Sequence, residues 1–158
     1  MASTAPSMPP AVPPADAGRR RALGLDLGER RIGVAVSDSA GTVATPVEVV
    51  LRSGRRADDH ATIARLVAEW EVDVVVVGVP YGLDGSIGPS ARKMLAEADR
   101  LSDVLPVPIE TYDERFTTVT AERALMHQDM TARDRRHVVD KVAAAVMLQA
   151  WLDGLSRA

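Results

Sequence analysis

The chain has 158 residues, of which 46% are hydrophobic, and its formal net charge is −3 at pH 7. This length predicts one domain with its own hydrophobic core. Cysteine is absent, which excludes disulfides and thiolate metal sites, so any metal would be held by carboxylate or imidazole ligands. The net charge does not by itself favour a nucleic-acid-binding protein.

Arginine clusters interrupt this acidic balance, although each alone is typical of a solvated surface. They lie at residues 19–21, at Arg30 and Arg31, at Arg52, Arg55 and Arg56, and at Arg133, Arg135 and Arg136. The chain has one Phe, two Tyr and two Trp, so base stacking on aromatic side chains cannot dominate any recognition of nucleic acid. We expect recognition through backbone and shape instead.

The first 20 residues are rich in Pro, Ala and Ser and lack the apolar core of a signal peptide. We expect a disordered tail there, followed by one domain over residues 21–156. No stretch approaches the ~20 apolar residues of a membrane span, which predicts a soluble cytoplasmic protein.

The predicted elements begin with two strands, residues 21–27 and 31–38, whose short connection indicates an antiparallel hairpin. A third strand is predicted over residues 44–52, and helices and strands then alternate. These are a helix over 57–72, a strand over 72–80, a helix over 91–105, a strand over 107–114, and helices over 118–128 and 133–155. The first of these helices is predicted to carry Ile63, Leu66, Val67 and Trp70 on one apolar face. This order favours an α/β fold with a single mixed five-stranded sheet, an antiparallel meander followed by parallel strands, with helices on both faces.

Asp26 is an ionisable residue inside an apolar strand. Strand alternation sends it to the same face as Gly24 and Gly28, whereas the intervening leucines share the other face. The next strand repeats this split, with Gly33 and Ala35 on the small-residue face. A carboxylate in such a depression is accessible to a metal ion or a phosphate, although pairing with an arginine or capping a turn is an equal alternative.

Two further positions suggest a carboxylate cluster. Asp140 lies on the same apolar helical stripe as Ala144 and Met147, so it is predicted to face the sheet. Asp113 and Glu114 are adjacent at a strand end, where alternation allows only one of them to join Asp26. Three carboxylates without Cys suit Mg²⁺ or Mn²⁺ and the metal-dependent transfer of phosphoryl groups.

Four segments in order resemble the YqgF/RuvX family over residues 21–155: "GLDLGERRIGVAVSD", "VVVGVPYGLDGSIGPSA", "YDERFTTVTAERAL" and "VVDKVAAAVMLQAWLD". The resemblance implies an RNase H-like fold and a nuclease that acts on pre-16S rRNA or on Holliday junctions. It also implies that Asp26, Glu114 and Asp140 are the catalytic, metal-binding acids, that Mg²⁺ or Mn²⁺ is the cofactor, and that Glu114 rather than Asp113 belongs to the cluster.

Other residues are predicted to contact nucleic acid through phosphate groups. The glycine-rich segment before the second helix offers backbone N–H groups at Gly85 and Ser86, although a simple turn with a helix cap is the alternative. Arg115 offers a charge, although an arginine beside an acid is often only its structural partner. The remaining predicted contacts are Arg30, Arg31, Thr117 and Thr118.

The partner predicted in this way is structured RNA or a four-way DNA junction, bound by a monomer or a homodimer. Two other functions stay open at this point. The first hairpin is also similar to the phosphate-binding hairpin of the actin, Hsp70 and sugar kinase superfamily, which would indicate an ATP-binding module. A non-catalytic RNA- or protein-binding factor of the same fold is the other alternative.

Overall fold

The computed structural model describes the backbone of residues 20–116 and 132–156 and the side chains of residues 20–115 and 142–155. Its strands are β1 (Ala22–Leu27), β2 (Arg31–Ser37), β3 (Ala44–Leu51), β4 (Val74–Val79) and β5 (Ile109–Asp113). Its α-helices are α1 (Arg56–Glu69), α2 (Pro89–Val104) and α3 (Ala132–Ser156), and a short 3₁₀ helix, Glu114–Phe116, follows β5. The predicted tail and the helix predicted over 118–128 lie outside the described residues, apart from residue 20.

The strands form one mixed sheet in the order β3-β2-β1-β4-β5. β2 is antiparallel to both β1 and β3, whereas β4 is parallel to β1 and β5 is parallel to β4. The predicted meander followed by parallel strands is therefore confirmed. Because β1 lies in the centre of the sheet, Asp26 is placed between two neighbouring strands, opposite Gly33 of β2.

The two faces of the sheet carry separate cores, as strand alternation predicts. On one face Leu23 and Leu25 pack with Ile63 of α1 and Leu101 of α2. On the other face Ala22, Ala35 and Val76 pack with α3. The continuous apolar run of β4 is buried on both sides, which is what parallel strands covered by helices require.

Helix α3 lies unusually close to β1 because position 24 is a glycine. A Cβ atom at Gly24 would lie 2.9 Å from Leu148 Cβ and 3.3 Å from the Ala144 carbonyl oxygen. The later part of α3 lies at the amino end of β1, where Leu152 shares a core with Ala22. The helix therefore runs antiparallel to β1, and its earlier turns extend towards the carboxyl end of that strand.

One core prediction was wrong. Trp70 was expected to share the buried face of α1 with Ile63 and Leu66, but it is 37% exposed, whereas the other two are buried. It ends the helix as the C-cap residue with a non-helical ψ of 1°, so the helical spacing no longer applies to it. No helix within the described ranges is long and apolar enough to cross a membrane.

Candidate active site

The carboxyl group of Asp26 lies on the small-residue face of the sheet, the face that α3 covers. Its neighbour on β1 in that direction is Gly24, and its partner on β2 is Gly33. Asp26 is only partly buried, whereas Leu25 and Leu27 beside it are buried on the opposite face. The small-residue face around Asp26 is therefore confirmed, whereas a depression that admits a metal ion or a phosphate stays a prediction.

Glu114 reaches the same face because β4 carries a glycine. Gly78 pairs with Tyr112 of β5, and Glu114 follows two residues later. A Cβ atom at Gly78 would overlap Glu114 Oε1 and lie 3.0 Å from Glu114 Cδ, so the Glu114 side chain lies directly over this glycine. Gly78 was not among the predicted site residues, although a single glycine inside a strand is typical of the close approach of another group.

The two carboxyl groups are close enough to affect each other's ionisation. Burial, together with the negative charges of Asp26 and Asp113, raises the pKa of Glu114 to about 7. A carboxyl group that is partly desolvated and surrounded by like charge favours the protonated form until a cation compensates it. The electrostatic environment of Asp26 and Glu114 therefore favours the binding of a cation.

Asp113 has a different environment from its neighbour. Its Oδ1 accepts a hydrogen bond from the Arg115 backbone N–H at 3.0 Å, and its Oδ2 accepts one from Arg115 Nε at 2.8 Å. Hydrogen bonds from the Arg115 side chain hold the pKa of Asp113 below its usual value. The structure thus brings Glu114 to Asp26 and pairs Asp113 with Arg115.

The glycine-rich segment forms a tight turn beside Arg115. Gly85 has a φ of +83°, and its N–H donates to the Gly82 carbonyl at 2.8 Å. The Ser86 N–H donates to Asp84 Oδ1 at 3.0 Å. Both N–H groups therefore form hydrogen bonds within the turn, as the alternative of a simple turn predicts. Contact of Gly85, Ser86 or Arg115 with nucleic acid stays a prediction.

The two arginines after β1 have different surroundings. Arg30 is exposed, and its carbonyl accepts a hydrogen bond from the Arg52 N–H at 2.9 Å. Arg31 begins β2, is partly buried, and shares the face of Gly33 and hence of Asp26. A role in binding nucleic acid stays a prediction for both.

Asp140 lies within α3, but its side chain is outside the described ones. It precedes Ala144 by one helical turn, and Ala144 contacts β1 at Gly24. Since α3 runs antiparallel to β1, position 140 lies towards the Asp26 end of the strand. Among the described side chains no group of three acidic or histidine residues is placed to hold a metal. Like the Asp140 side chain, Thr117 and Thr118 lie outside the described residues.

A buried ionic network on the opposite face was not predicted. Arg52 forms two hydrogen bonds of 2.7 Å with the Glu97 carboxylate, which also contacts His60 Nε2 at 2.9 Å. The Arg52 side chain is only 18% exposed. It was predicted to belong to a surface cluster, but it forms an internal ion pair instead. The sequence feature that could have indicated this ion pair is Glu97, a charged residue on the same stripe of α2 as the buried Ala98 and Leu101.

Comparison with known proteins places these features in a family. A family model described as "RuvX: Holliday junction resolvase" matches residues 20–154. A relative from Anaeromyxobacter sp. (strain Fw109-5), named "Putative pre-16S rRNA nuclease", is 49% identical over 134 residues, which is 85% of this chain and 97% of the relative. A relative of the same name from Mycobacteroides abscessus is 44% identical and covers 97% of this chain and 93% of its own length.

Solved structures agree with the fold. T. thermophilus RuvC in complex with a Holliday junction substrate aligns with a TM-score of 0.56 at 18% identity, over 88% of this chain and 98% of that one. The fowlpox virus Holliday junction resolvase aligns with a TM-score of 0.50 at 11% identity, over 85% and 99%. At these identities the likeness concerns the fold alone, and it confirms the predicted RNase H-like architecture. With the sequence match over residues 20–154, it follows that the chain belongs to the RuvX family of Holliday junction resolvases.

Proposed function

We propose that this protein is a metal-dependent endonuclease that hydrolyses phosphodiester bonds of structured nucleic acid, with Asp26, Glu114 and Asp140 as its metal ligands. The observation that carries the proposal is the Glu114 carboxyl group over Gly78, within electrostatic reach of Asp26. Membership of the RuvX family supports the reaction class, and the position of Asp140 on α3 supports its inclusion.

The residues present fit a hard divalent cation. Carboxylate oxygens are the ligands that Mg²⁺ and Mn²⁺ prefer, and cysteine is absent from the chain. Burial first, and then the negative charges of Asp26 and Asp113, raise the pKa of Glu114, and a cation beside it would favour its ionised form. When bound, such ions supply an activated water and stabilise the leaving oxygen of a phosphodiester.

The protein's own contribution is to position these groups and to leave room for the substrate. Gly24 allows α3 to approach the sheet, and Gly78 gives the Glu114 side chain its place. Asp26 itself is only partly buried, which leaves its carboxyl group accessible to a nucleic-acid backbone. Arg31 shares that face, and Arg115 lies beside the turn at Gly85, so both are proposed to bind phosphate groups.

The proposed substrate is the 5′ end of precursor 16S rRNA, processed in the cytoplasm during ribosome maturation, by a monomer or a homodimer. The names of the relatives support this choice, whereas the family description favours a four-way DNA junction. Both substrates present phosphates in a structured nucleic acid, which the same site would accept.

The test is cleavage of a labelled precursor 16S RNA fragment beside a labelled four-way DNA junction, with Mg²⁺ or Mn²⁺. Wild type and Asp26→Asn are compared in the same assay. We expect selective cleavage that the substitution abolishes, and the cleaved substrate identifies the activity. Failure to cleave either substrate, with binding intact, would instead indicate a non-catalytic binding factor.

A further inference from the structure

A basic groove lies on the face of the sheet opposite Asp26. It has a volume of about 870 Å³ and runs between the β1–β2 connection and helix α2. Its cationic lining residues are Arg52, Arg56, Arg92, Lys93 and Arg100. Neither Asp26 nor Glu114 lines this groove.

The groove carries a net positive charge because its five cationic side chains outnumber its two acids, Glu29 and Glu97. Glu97 is held between Arg52 and His60, and it is 8% exposed. Burial raises the pKa of Glu97, but the hydrogen bonds from Arg52 and His60 outweigh it, so the pKa lies below its ordinary value. The other acid, Glu29, is highly exposed and lies 3.9 Å from Lys93 Nζ.

Three arginines of the groove are available to a ligand. Arg56, Arg92 and Arg100 are exposed, and within the described part of the chain their side chains form no hydrogen bond or ion pair. Arg92 and Arg100 are eight residues apart on one helix, which at ~1.5 Å per residue spans roughly 12 Å. This row is longer than a single small anion needs and fits successive phosphates of one strand.

The groove and the active site open at the same end of β1. Gly28 lines the groove and follows Asp26 by two residues, and its N–H donates to the Asp26 carbonyl at 3.1 Å, so the chain turns directly after β1. Arg52 Nε donates to the Gly28 carbonyl at 2.8 Å, so the ionic network fixes this connection to the groove wall. A backbone that passes over the β1–β2 connection can therefore reach both faces.

We propose that this groove binds the sugar–phosphate backbone of the nucleic acid beside the bond that is cleaved. The inference rests on the proposed nuclease function and adds a second, non-catalytic contact to it. Open, exposed cations in a row favour a nucleic-acid backbone over an acidic peptide, because the contact is electrostatic and independent of sequence.

The test compares wild type with the double variant Arg92→Gln/Arg100→Gln. Binding of the labelled RNA fragment and of the labelled junction is measured by fluorescence anisotropy without divalent ions, from 50 to 300 mM salt. We expect at least a ~10-fold loss of affinity at low salt and a salt slope for the DNA junction smaller by about 1.8, at ~0.9 per lost phosphate contact. In cleavage assays KM should rise while kcat at saturating substrate stays within about twofold of wild type.

Two controls separate charge from folding. Arg65→Gln removes an exposed arginine of α1 that lies outside the groove and pairs with Glu69, and it should bind as wild type does. Arg92→Lys/Arg100→Lys keeps the charge and should restore most of the affinity. Thermal unfolding of all variants should match wild type, since the substituted side chains are exposed.

The outcomes distinguish this inference from the proposed function. If wild type cleaves and the double variant binds with the same affinity and salt slope, the groove proposal is overturned and the nuclease stands. A lower kcat at unchanged KM would also overturn it. If wild type neither binds nor cleaves nucleic acid, both proposals fail.

Discussion

The hydrogen atom that serves as the side chain of Gly78 decides where the Glu114 carboxyl group can lie. Any larger residue at position 78 would put carbon atoms in the space that Glu114 Oε1 occupies. The strand itself does not require glycine, because the backbone at this position has an ordinary negative φ. The glycine is therefore explained by the Glu114 side chain.

Gly78→Ala should reduce cleavage by about 10-fold or more, because it displaces Glu114 from Asp26 by a distance that matters for catalytic positioning. The measurement is the single-turnover cleavage rate with saturating protein. Gly154→Ala is the matched control, since a Cβ atom there meets nothing within 4 Å. Equal rates for the two variants would show that Glu114 does not act from its position over Gly78.

Glu97→Gln should destabilise the fold, because it leaves the Arg52 guanidinium partly buried without its counter-charge. We expect about 1–3 kcal/mol near pH 7, between the values for exposed and buried pairs. The pKa of Glu97 is lowered in the folded state, so its stabilisation is fully present above the unfolded pKa of about 4.5 and is lost as the pH falls through the folded value.

Urea unfolding of wild type and Glu97→Gln at pH 7 and at pH 4 measures this effect. The difference in free energy of unfolding should shrink at the lower pH, where the wild-type carboxylate begins to protonate. A difference that is independent of pH would mean that shape, rather than charge, holds this network together.

At the scale of elements, the contact between β1 and α3 sets the geometry of the site. The helix carries Asp140 and the strand carries Asp26, and they meet where Gly24 contacts Leu148 and the Ala144 carbonyl. A backbone carbonyl cannot move aside as a flexible side chain can. The spacing of the two elements therefore depends on the absence of a side chain at position 24.

Gly24→Ala should lower the free energy of unfolding by about 1–3 kcal/mol, the usual cost of overpacking a core. It should also reduce cleavage, because α3 and Asp140 would move away from Asp26. Urea unfolding and single-turnover cleavage measure the two effects, with Gly154→Ala again as the control. Unchanged stability and rate would contradict the close packing of α3 on β1.

The antiparallel meander, the parallel strands after it and the two faces of the sheet could be predicted because they follow from local patterns. Alternation in β1 separates Leu25 from Asp26 without any knowledge of the partner strands. The Arg52–Glu97–His60 network could not be predicted in this way, since Glu97 is 45 residues from Arg52 and 37 from His60 and meets them only in three dimensions. The prediction for Trp70 was wrong for a different reason, because the helix ends at this residue and the helical spacing does not continue through it.

At the scale of the whole molecule, the charges are arranged around one end of the sheet. The carboxyl groups of Asp26 and Glu114 lie on one face there, and the basic groove opens on the other. The net charge of −3 conceals this separation, because a sum over the chain contains no information on position. The acidic face and the basic groove together, and not the net charge, are what we expect of a protein that binds both a cation and a polyanion.

Addition of Mg²⁺ or Mn²⁺ should raise the melting temperature of the wild type, because an ion that binds the folded state alone stabilises it. At a concentration of ~100 Kd the gain is about 2.7 kcal/mol in the free energy of unfolding. Glu114→Gln should lose most of this gain, and thermal scans with and without the ion measure it. Chelation with EDTA should return the wild type to its starting value; an equal metal effect on both proteins would place the ion elsewhere.

The central claim is that Asp26, Glu114 and Asp140 form one metal-binding nuclease site, and Asp113 provides the sharpest control because it is adjacent to Glu114 but pairs with Arg115. The measurement is the single-turnover cleavage rate of Asp26→Asn, Glu114→Gln, Asp140→Asn and Asp113→Asn with saturating Mg²⁺. We predict that each of the first three falls by about 10²–10³ or more, while Asp113→Asn stays within about 10-fold of wild type. A wild-type rate for any of the first three, or an equal loss in Asp113→Asn, would contradict the account.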